Sequence, residues 1–470
     1  MTMDVNVSKH GAAERLDRLP HSRYLSITIF LISLGTFWDA YMLYSIGPIS
    51  STFLSSLGES HLATRAPTAL FFGTFLGALI LGRLADKIGR RNAFTLNLSI
   101  LAFGNLCAVV APNGGILIAA LVVAGLGTGA EIPLSSTYTQ EFMKANNRGK
   151  ATALMLAFGF LGGTAGGFVA RFIAPITNLP ISGFKIALLI GAAGAIVTVF
   201  IRRRVPESPR WLDRQGHHQK ASAIMDNIEQ RVMAEHRISK LPPAIPAPSM
   251  DSALRKSVKT SDLLRPTYLR RTLSVWIIEL FQGFGAYGFT TFVPVILTAK
   301  GYSILDALGY TALIQISYPV GCLIASQVTD RINRKWGMCL FYTLNMLCGI
   351  AFYFSDSVPL ILIFGFLTEM LIFIDGPMLH TYEVEIYPTH LRGRGAGTSF
   401  ALSRLGGFLA PLAAGGILAV AGNEGATYLI MTAAGSWLLC AATAAVLGIQ
   451  TKSISLEQLE SRLKTSRHPG

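Results

Sequence analysis

The chain has 470 residues, of which 51% are hydrophobic and only 14% charged, with a mean hydropathy of +0.47. That balance excludes an ordinary soluble enzyme and reads as a multispanning membrane protein. The net charge of +14 does not indicate nucleic-acid binding, which needs a basic, aromatic-interleaved surface on a soluble module, and none is visible.

Residues 1–23 are polar and basic and precede an apolar run too long for a cleavable signal peptide, so a retained first helix behind a cytoplasmic tail is expected. Apolar runs of about 20 residues, each able to cross about 30 Å of hydrocarbon, then recur about twelve times. The first six begin near residues 24, 66, 92, 114, 150 and 183 and define a bundle over 24–202. Glycines inside them, as in FGFLGGTAGGF, let helix backbones approach closely. Residues 203–269 are the one sizeable soluble insertion, a stretch of mixed charge and helical periodicity that breaks at LPPAIPAPS, and are expected to be a cytoplasmic linker with short helices. Six further runs begin near 271, 304, 337, 359, 395 and 425 and define a second bundle over 270–449, leaving 450–470 as a cytoplasmic tail. The predicted fold class is an all-α membrane protein with twelve transmembrane helices in two pseudo-symmetric six-helix bundles; the runs lack the alternation of a β-barrel.

Basic residues fix the expected orientation. With the N-terminus cytoplasmic, only Arg65, Arg171, Lys185 and Lys300 of the 40 lysines and arginines fall outside, with Arg404 inside a span. Cytoplasmic loops retain such charge more readily than exported ones. The five cysteines (Cys107, Cys322, Cys339, Cys348 and Cys440) lie in or at the edge of spans without C-x-x-C spacing, so they read as filler and no metal site is expected.

The two halves carry an internal repeat. GRLADKIGRR at 82–91 aligns with SQVTDRINRK at 326–335, placing Asp330 and Arg334 244 residues after Asp86 and Arg90. EIPLSSTYTQEFMKANNRG at 131–149 aligns with DGPMLHTYEVEIYPTHLRG at 375–393 at the same offset, matching Glu141 to Glu385 and Arg148 to Arg392. Two unrelated motifs sharing one offset indicate a parallel duplication, the arrangement of transporters that rock two bundles about a central site.

GRLADKIGRR, through Gly82, Asp86, Gly89, Arg90 and Arg91, resembles the loop motif of the major facilitator superfamily. PESPRWL at 206–212 resembles the segment after the sixth helix of the sugar porter family and its organic-ion-transporting relatives. GPMLHTYEVEIYP resembles their tenth-helix pattern, and IQTKSISLEQLE at 449–460 a decayed form of their tail motif. The resemblance covers essentially the whole chain. It implies that the loop residues Asp86, Arg90, Glu141, Arg148, Asp330, Arg334, Glu385 and Arg392 form networks that hold the cytoplasmic side closed. Their spacing fits this: Asp86 and Arg90 are four apart, while Glu141 with Arg148 and Glu385 with Arg392 form two pairs spaced by seven at the cytoplasmic mouth.

Acids inside the spans are the candidate site. Asp375 lies ten residues before Glu385, about 15 Å along a helix and so near the bilayer midplane. Glu131 occupies the corresponding depth in the fourth span, and both are expected to border a central cavity, because an intramembrane acid usually faces a cavity or a partner. Asp39 in the first span, Glu279 in the seventh, Glu369 in the tenth and Arg404 in the eleventh join them, with Arg404 as the only cation well inside a span and Asp375 or Glu369 as its possible partner. Asp39, Glu131 and Asp375 are the expected proton-coupling residues. Gln282, Tyr287, His380 and Arg404 are the expected substrate-binding residues. His380 stands where the sugar porter pattern has tryptophan and adds a group that titrates near neutral pH. The seventh span keeps Gln282 but lacks the serine and asparagine of the sugar pattern, which argues against a standard hexose site. The first span is similar to D-G/A-Y/F-D patterns of proton symporters for aromatic acids and phosphate, with Asp39 as the first acid and Met42 in place of the second.

No nucleotide-binding loop, nucleophile elbow or zinc signature is present. The expected function is therefore non-enzymatic and cofactor-free: proton-coupled secondary transport of a small polar organic metabolite across a bacterial-type inner (plasma) membrane by a monomer. A uniporter and a non-transporting receptor on the same scaffold are the alternatives.

Overall fold

The computed structural model of the chain describes residues 11–144, 147–176, 180–243, 260–329, 331–387, 391–421 and 424–451. Among them are twelve helical spans long and apolar enough to cross a membrane. After a short α1 (Ala12–Asp17), the first six spans are α2 (Arg23–Ser56), α3 (Arg65–Ile88), α4 (Arg90–Val109), α5 (Gly114–Thr128) continued by α6 (Glu131–Phe142), α7 (Arg148–Phe172) and α8 (Gly183–Arg202). The linker carries α9 (Pro209–Arg214) and α10 (His218–His236). The second six spans are α11 (Pro266–Ala299), α12 (Ile304–Ile314) continued by α13 (Ser317–Val328), α14 (Arg334–Phe354), α15 (Val358–Ile386), α16 (Arg392–Ala421) and α17 (Gly425–Leu447).

The helices begin where capping chemistry and apolar runs coincide. Ser22, Asn113, Ser208 and Ser303 each accept a hydrogen bond from a backbone N–H of the first turn that follows, satisfying donors that a helix start leaves open. Gly89 both ends α3 and starts α4 at φ 95°, a left-handed conformation that a Cβ disfavours.

The duplication is visible in the packing. In the first half α2 packs on α7 and α8, and α4 on α5 and α8; in the second, α11 packs on α16 and α17, and α14 on α15 and α17. A repeated close approach marks it most clearly. A Cβ at Gly162 of α7 would run into the Phe37 carbonyl of α2, and one at Gly406 of α16, 244 residues on, into the Leu280 carbonyl of α11. The bundles meet through α3 against α16 and through α7 against α12 and α13, interfaces that exchange under the duplication.

Candidate functional site

Contacts between the bundles gather in the half of the helices away from the termini. There the Tyr44 ring of α2 lies 4.8 Å from Tyr318, 5.9 Å from Phe373 and 6.1 Å from Tyr287, centroid to centroid. Phe160 of α7 sits edge-on to Phe373 at 4.6 Å. Two hydrogen bonds bolt this cluster together: Thr164 Oγ1 donates to the Gln315 carbonyl at 2.7 Å, and Gln315 Nε2 donates to the Tyr44 carbonyl at 3.3 Å. On the terminal side, Arg90 with Asp86 and Glu141, and Arg334 with Glu385, each form ion pairs inside one bundle. Among the described residues, none of these terminal-side ion pairs crosses between the bundles.

Arg404 of α16 is buried directly beneath that cluster. Its Nη1 donates to the Tyr287 hydroxyl at 2.6 Å, and its guanidinium lies 4.8 Å from the centre of the Phe400 ring and 5.5 Å from that of Tyr287. Nε and Nη2 have no acceptor among the described residues. Its acidic neighbour across the bundle interface is Asp39 of α2. Asp39 is fully buried, and neither of its oxygens receives a hydrogen bond from the described residues. The Thr128 hydroxyl beside it is engaged with Thr74 and the Gly125 carbonyl. Among the described residues Arg404 makes no ion pair with Asp375 or Glu369, the partners expected for it; the acid facing it from the other bundle is Asp39.

Glu131 opens α6 and accepts from Ser135 Oγ at 3.1 Å, while its other oxygen has no donor among the described residues. Its basic neighbour is Arg202, a second buried cation that corrects the expectation of Arg404 alone. Arg202 reaches back into the bundle, where Nε donates to the Leu31 carbonyl at 2.9 Å, Nη2 donates to the Ile32 carbonyl, and the guanidinium covers the Phe94 ring at 3.0 Å. Glu369 accepts from Thr290 Oγ1 at 2.7 Å. Asp375 departs from expectation: it turns into its own bundle, toward Tyr342 of α14 and Cys440 of α17, rather than toward the N-terminal bundle. Its depth follows from the helix rise, but the face follows from azimuth, and Asp375 lies about 200° around α15 from Phe373, which packs against Tyr44 and Phe160 of the other bundle.

Toward the terminal side, His380 of α15 is 38% exposed, and its Nδ1 lies 3.3 Å from Glu383 Oε2 and 3.7 Å from Glu279 Oε1 of α11. Glu383, almost wholly buried, is an acid of this group that was not among the sequence-predicted site residues. Gln282, half-buried, follows Glu279 by three residues on α11.

The Major Facilitator Superfamily model matches residues 29–411. The chain belongs to this superfamily. Within it, the chain is similar to the inner membrane metabolite transport protein YdjE of Escherichia coli (strain K12), at 30% identity over 95% of this chain and 97% of that protein. It is also similar to the niacin transporter NiaP of Acinetobacter baylyi, at 28% identity over 95% and 98% respectively. The solved structure of the proton:xylose symporter XylE bound to 6-bromo-6-deoxy-D-glucose superposes with a TM-score of 0.67 over 94% of this chain and 100% of that one; at 18% identity this is a likeness of fold. The chain is thus a multi-pass membrane protein of a superfamily of transporters, not of enzymes.

The superfamily loop motif assembles differently from the simple spacing argument. Arg90 pairs with Asp86 at 2.7 Å and with Glu141 at 3.3 Å, while Arg148, expected to meet Glu141, donates from Nε to the Met143 carbonyl at 3.4 Å instead. Arg334 takes Glu385 at 3.0 Å; Asp330 and the Arg392 side chain lie outside the described residues. The linker segment PESPRWL clasps this corner. Glu207 accepts from the backbone N–H groups of Arg90 and Arg91 and so caps α4, whose own start at Gly89 offers no side chain. Burial pushes the Glu207 carboxyl up, against the N–H bonds from Ser208, Arg91 and Arg90. Trp211 Nε1 donates to the Asp86 carbonyl at 3.1 Å, Arg91 Nη2 to the Arg203 carbonyl at 2.8 Å, and the Tyr138 hydroxyl to the Pro206 carbonyl. Gly82 is exposed on the same corner.

Proposed function

We propose that the chain is a proton-coupled secondary transporter of a small organic anion carrying a planar ring, with both termini cytoplasmic in a bacterial inner membrane. The observation that carries this reading is Arg404, a buried guanidinium with unused donors set among the Tyr287 and Phe400 rings. A guanidinium in a desolvated pocket favours a carboxylate that can take two parallel N–H bonds, and flanking rings favour a flat partner. The similarity to a niacin transporter supports the same chemistry, and the lysine and arginine bias supports the orientation. Asp39 opposite Arg404 is the proposed proton carrier, because protonation of Asp39 and entry of an anion both change the charge that Arg404 must balance. Glu131 beside Arg202 is a second such carboxyl, and the two bundles exchange access by rocking about the site.

Uptake into proteoliposomes under an imposed pH gradient tests this, with pyridine carboxylates, benzoate, aliphatic acids and pentoses as substrates and Asp39→Asn and Arg404→Ala alongside wild type. Ring carboxylates should accumulate and carry protons, Asp39→Asn should lose the gradient dependence, and Arg404→Ala should lose uptake. Pentose uptake with indifference to carboxylates would overturn the substrate class. Uptake unaffected by pH and by Asp39→Asn would overturn the coupling.

A further inference from the structure

We infer that Glu279, His380 and Glu383 form a binding site for a divalent transition-metal ion of the Zn2+ type, on the cavity wall of the C-terminal bundle. One ligand atom from each residue lies within 4.8 Å of the other two. The two separations from His380 Nδ1, 3.3 Å to Glu383 and 3.7 Å to Glu279, bracket the ligand-to-ligand edge of about 3.3 to 3.5 Å that a tetrahedral zinc with bonds near 2.1 Å requires. His380 and Glu383 are three apart on one face of α15, the helical spacing that sends an imidazole and a carboxylate to one point, and Glu279 meets them from α11.

The carboxylates are built for a cation rather than for solvent. Glu279 and Glu383 are almost wholly buried, and Oε1 of each has no hydrogen-bond donor among the described residues. For Glu279 that open atom is the one aimed at His380. A bound dication would compensate the charge of the two buried carboxylates, which are costly to hold ionised without a partner. Ser403 stands beside Glu279 and Ser399 beside Glu383, hydroxyls that can orient the carboxylates. Three protein ligands of mixed nitrogen and oxygen suit a borderline metal and are too few for calcium or magnesium. His380 is the partly exposed member, so the fourth coordination position opens to the cavity.

The test uses the full chain without a histidine tag, stripped with a chelator and held in nanodiscs, titrated with Zn2+ against a chromogenic chelator and separately with Co2+ in the visible range. His217→Ala and His218→Ala are introduced throughout, to remove an exposed histidine pair next to Asp213. Wild type should bind one tight equivalent of zinc and give the intense bands of tetrahedral cobalt. Glu383→Gln should weaken that equivalent about tenfold or more, and His380→Ala, at a partly exposed position, should remove it together with the cobalt bands. Identical zinc stoichiometry and cobalt spectra in wild type and His380→Ala would overturn the site, as would no tight equivalent in wild type.

Discussion

Arg334 reaches Glu385 at 3.0 Å and thereby repeats, 244 residues on, the pair that Arg90 makes with Glu141 at 3.3 Å. Each pair ties two helices of its own bundle. A double-mutant cycle on Arg90 and Glu141, and another on Arg334 and Glu385, should each give a coupling of about 1 to 3 kcal/mol in thermal or denaturant unfolding. A cycle on Arg90 and Glu385, in different bundles, should give none. Coupling in that mixed cycle would show that the motifs bridge the bundles.

The aromatic cluster and its two hydrogen bonds close the half away from the termini. Gln315→Ala removes the side-chain bond to the Tyr44 carbonyl, a loss of about 1 kcal/mol and so about fivefold in the balance between closed and open on that side. Spin labels at Phe172 and Ile304, at the far ends of α7 and α12, should show the longer-distance population rise by that factor. An unchanged distance distribution would mean that the bond does not hold this face shut.

A latch joins α1 to the linker. Arg15 donates to Glu229 at 2.8 and 3.0 Å, to Asp226 at 2.5 Å and to Ser222 at 3.1 Å, and Arg18 adds a bond to Glu229 at 2.8 Å. Burial alone would push the Glu229 carboxyl up, but the bonds from Arg15 and Arg18 outweigh it and hold Glu229 below its ordinary value. A depressed carboxyl contributes stability above the unfolded value, near pH 4.3, and loses it as pH falls through the folded one. Hydrogen exchange at residues 12–17 should be slow at pH 7 and, corrected for intrinsic rate, faster below about pH 4. In Arg15→Ala it should be fast at both.

Gly406 and Gly162 set the distance between paired helices. Gly406→Leu should destabilise the C-terminal bundle by about 1 to 3 kcal/mol through overpacking, read as a lower melting temperature in nanodiscs. Leucine at Gly435 of α17, where a Cβ meets nothing within 4 Å, should leave the melting temperature in place. Equal melting of both variants and wild type would contradict the close approach.

Much of this architecture was legible from residue order. Long apolar runs dictate helices whatever their partners, and span starts expected near 114, 183, 304 and 425 coincide with helix starts at Gly114, Gly183, Ile304 and Gly425. What was not legible was direction around a helix. Arg202 opens the run RRRV and reads as membrane-edge charge, yet its long stem folds back so that the guanidinium covers Phe94 and donates to the Leu31 and Ile32 carbonyls of α2. Glu383 was hidden inside the loop motif; the usable signal was its three-residue spacing from His380 on the helix face that Phe373 begins. The pair Glu141–Arg148 does not form because the two residues stand on separate helices, α6 ending at Phe142 and α7 beginning at Arg148, and the Arg148 guanidinium goes to the Met143 carbonyl.

The fourth span is two rods with a joint, not one beam. α5 is seated on α3, where Gly125 admits the Leu70 carbonyl and the joint residue Gly129 the Thr74 carbonyl. α6 is moored to the linker through Tyr138 and to α4 through Glu141. The joint falls at Gly129 and Ala130, immediately before Glu131. A tug on the linker is therefore delivered through the short rod to a buried carboxylate, while the long rod stays with the body of the bundle; the surface on the terminal side has a mechanical line to the proposed proton site that does not pass through the substrate.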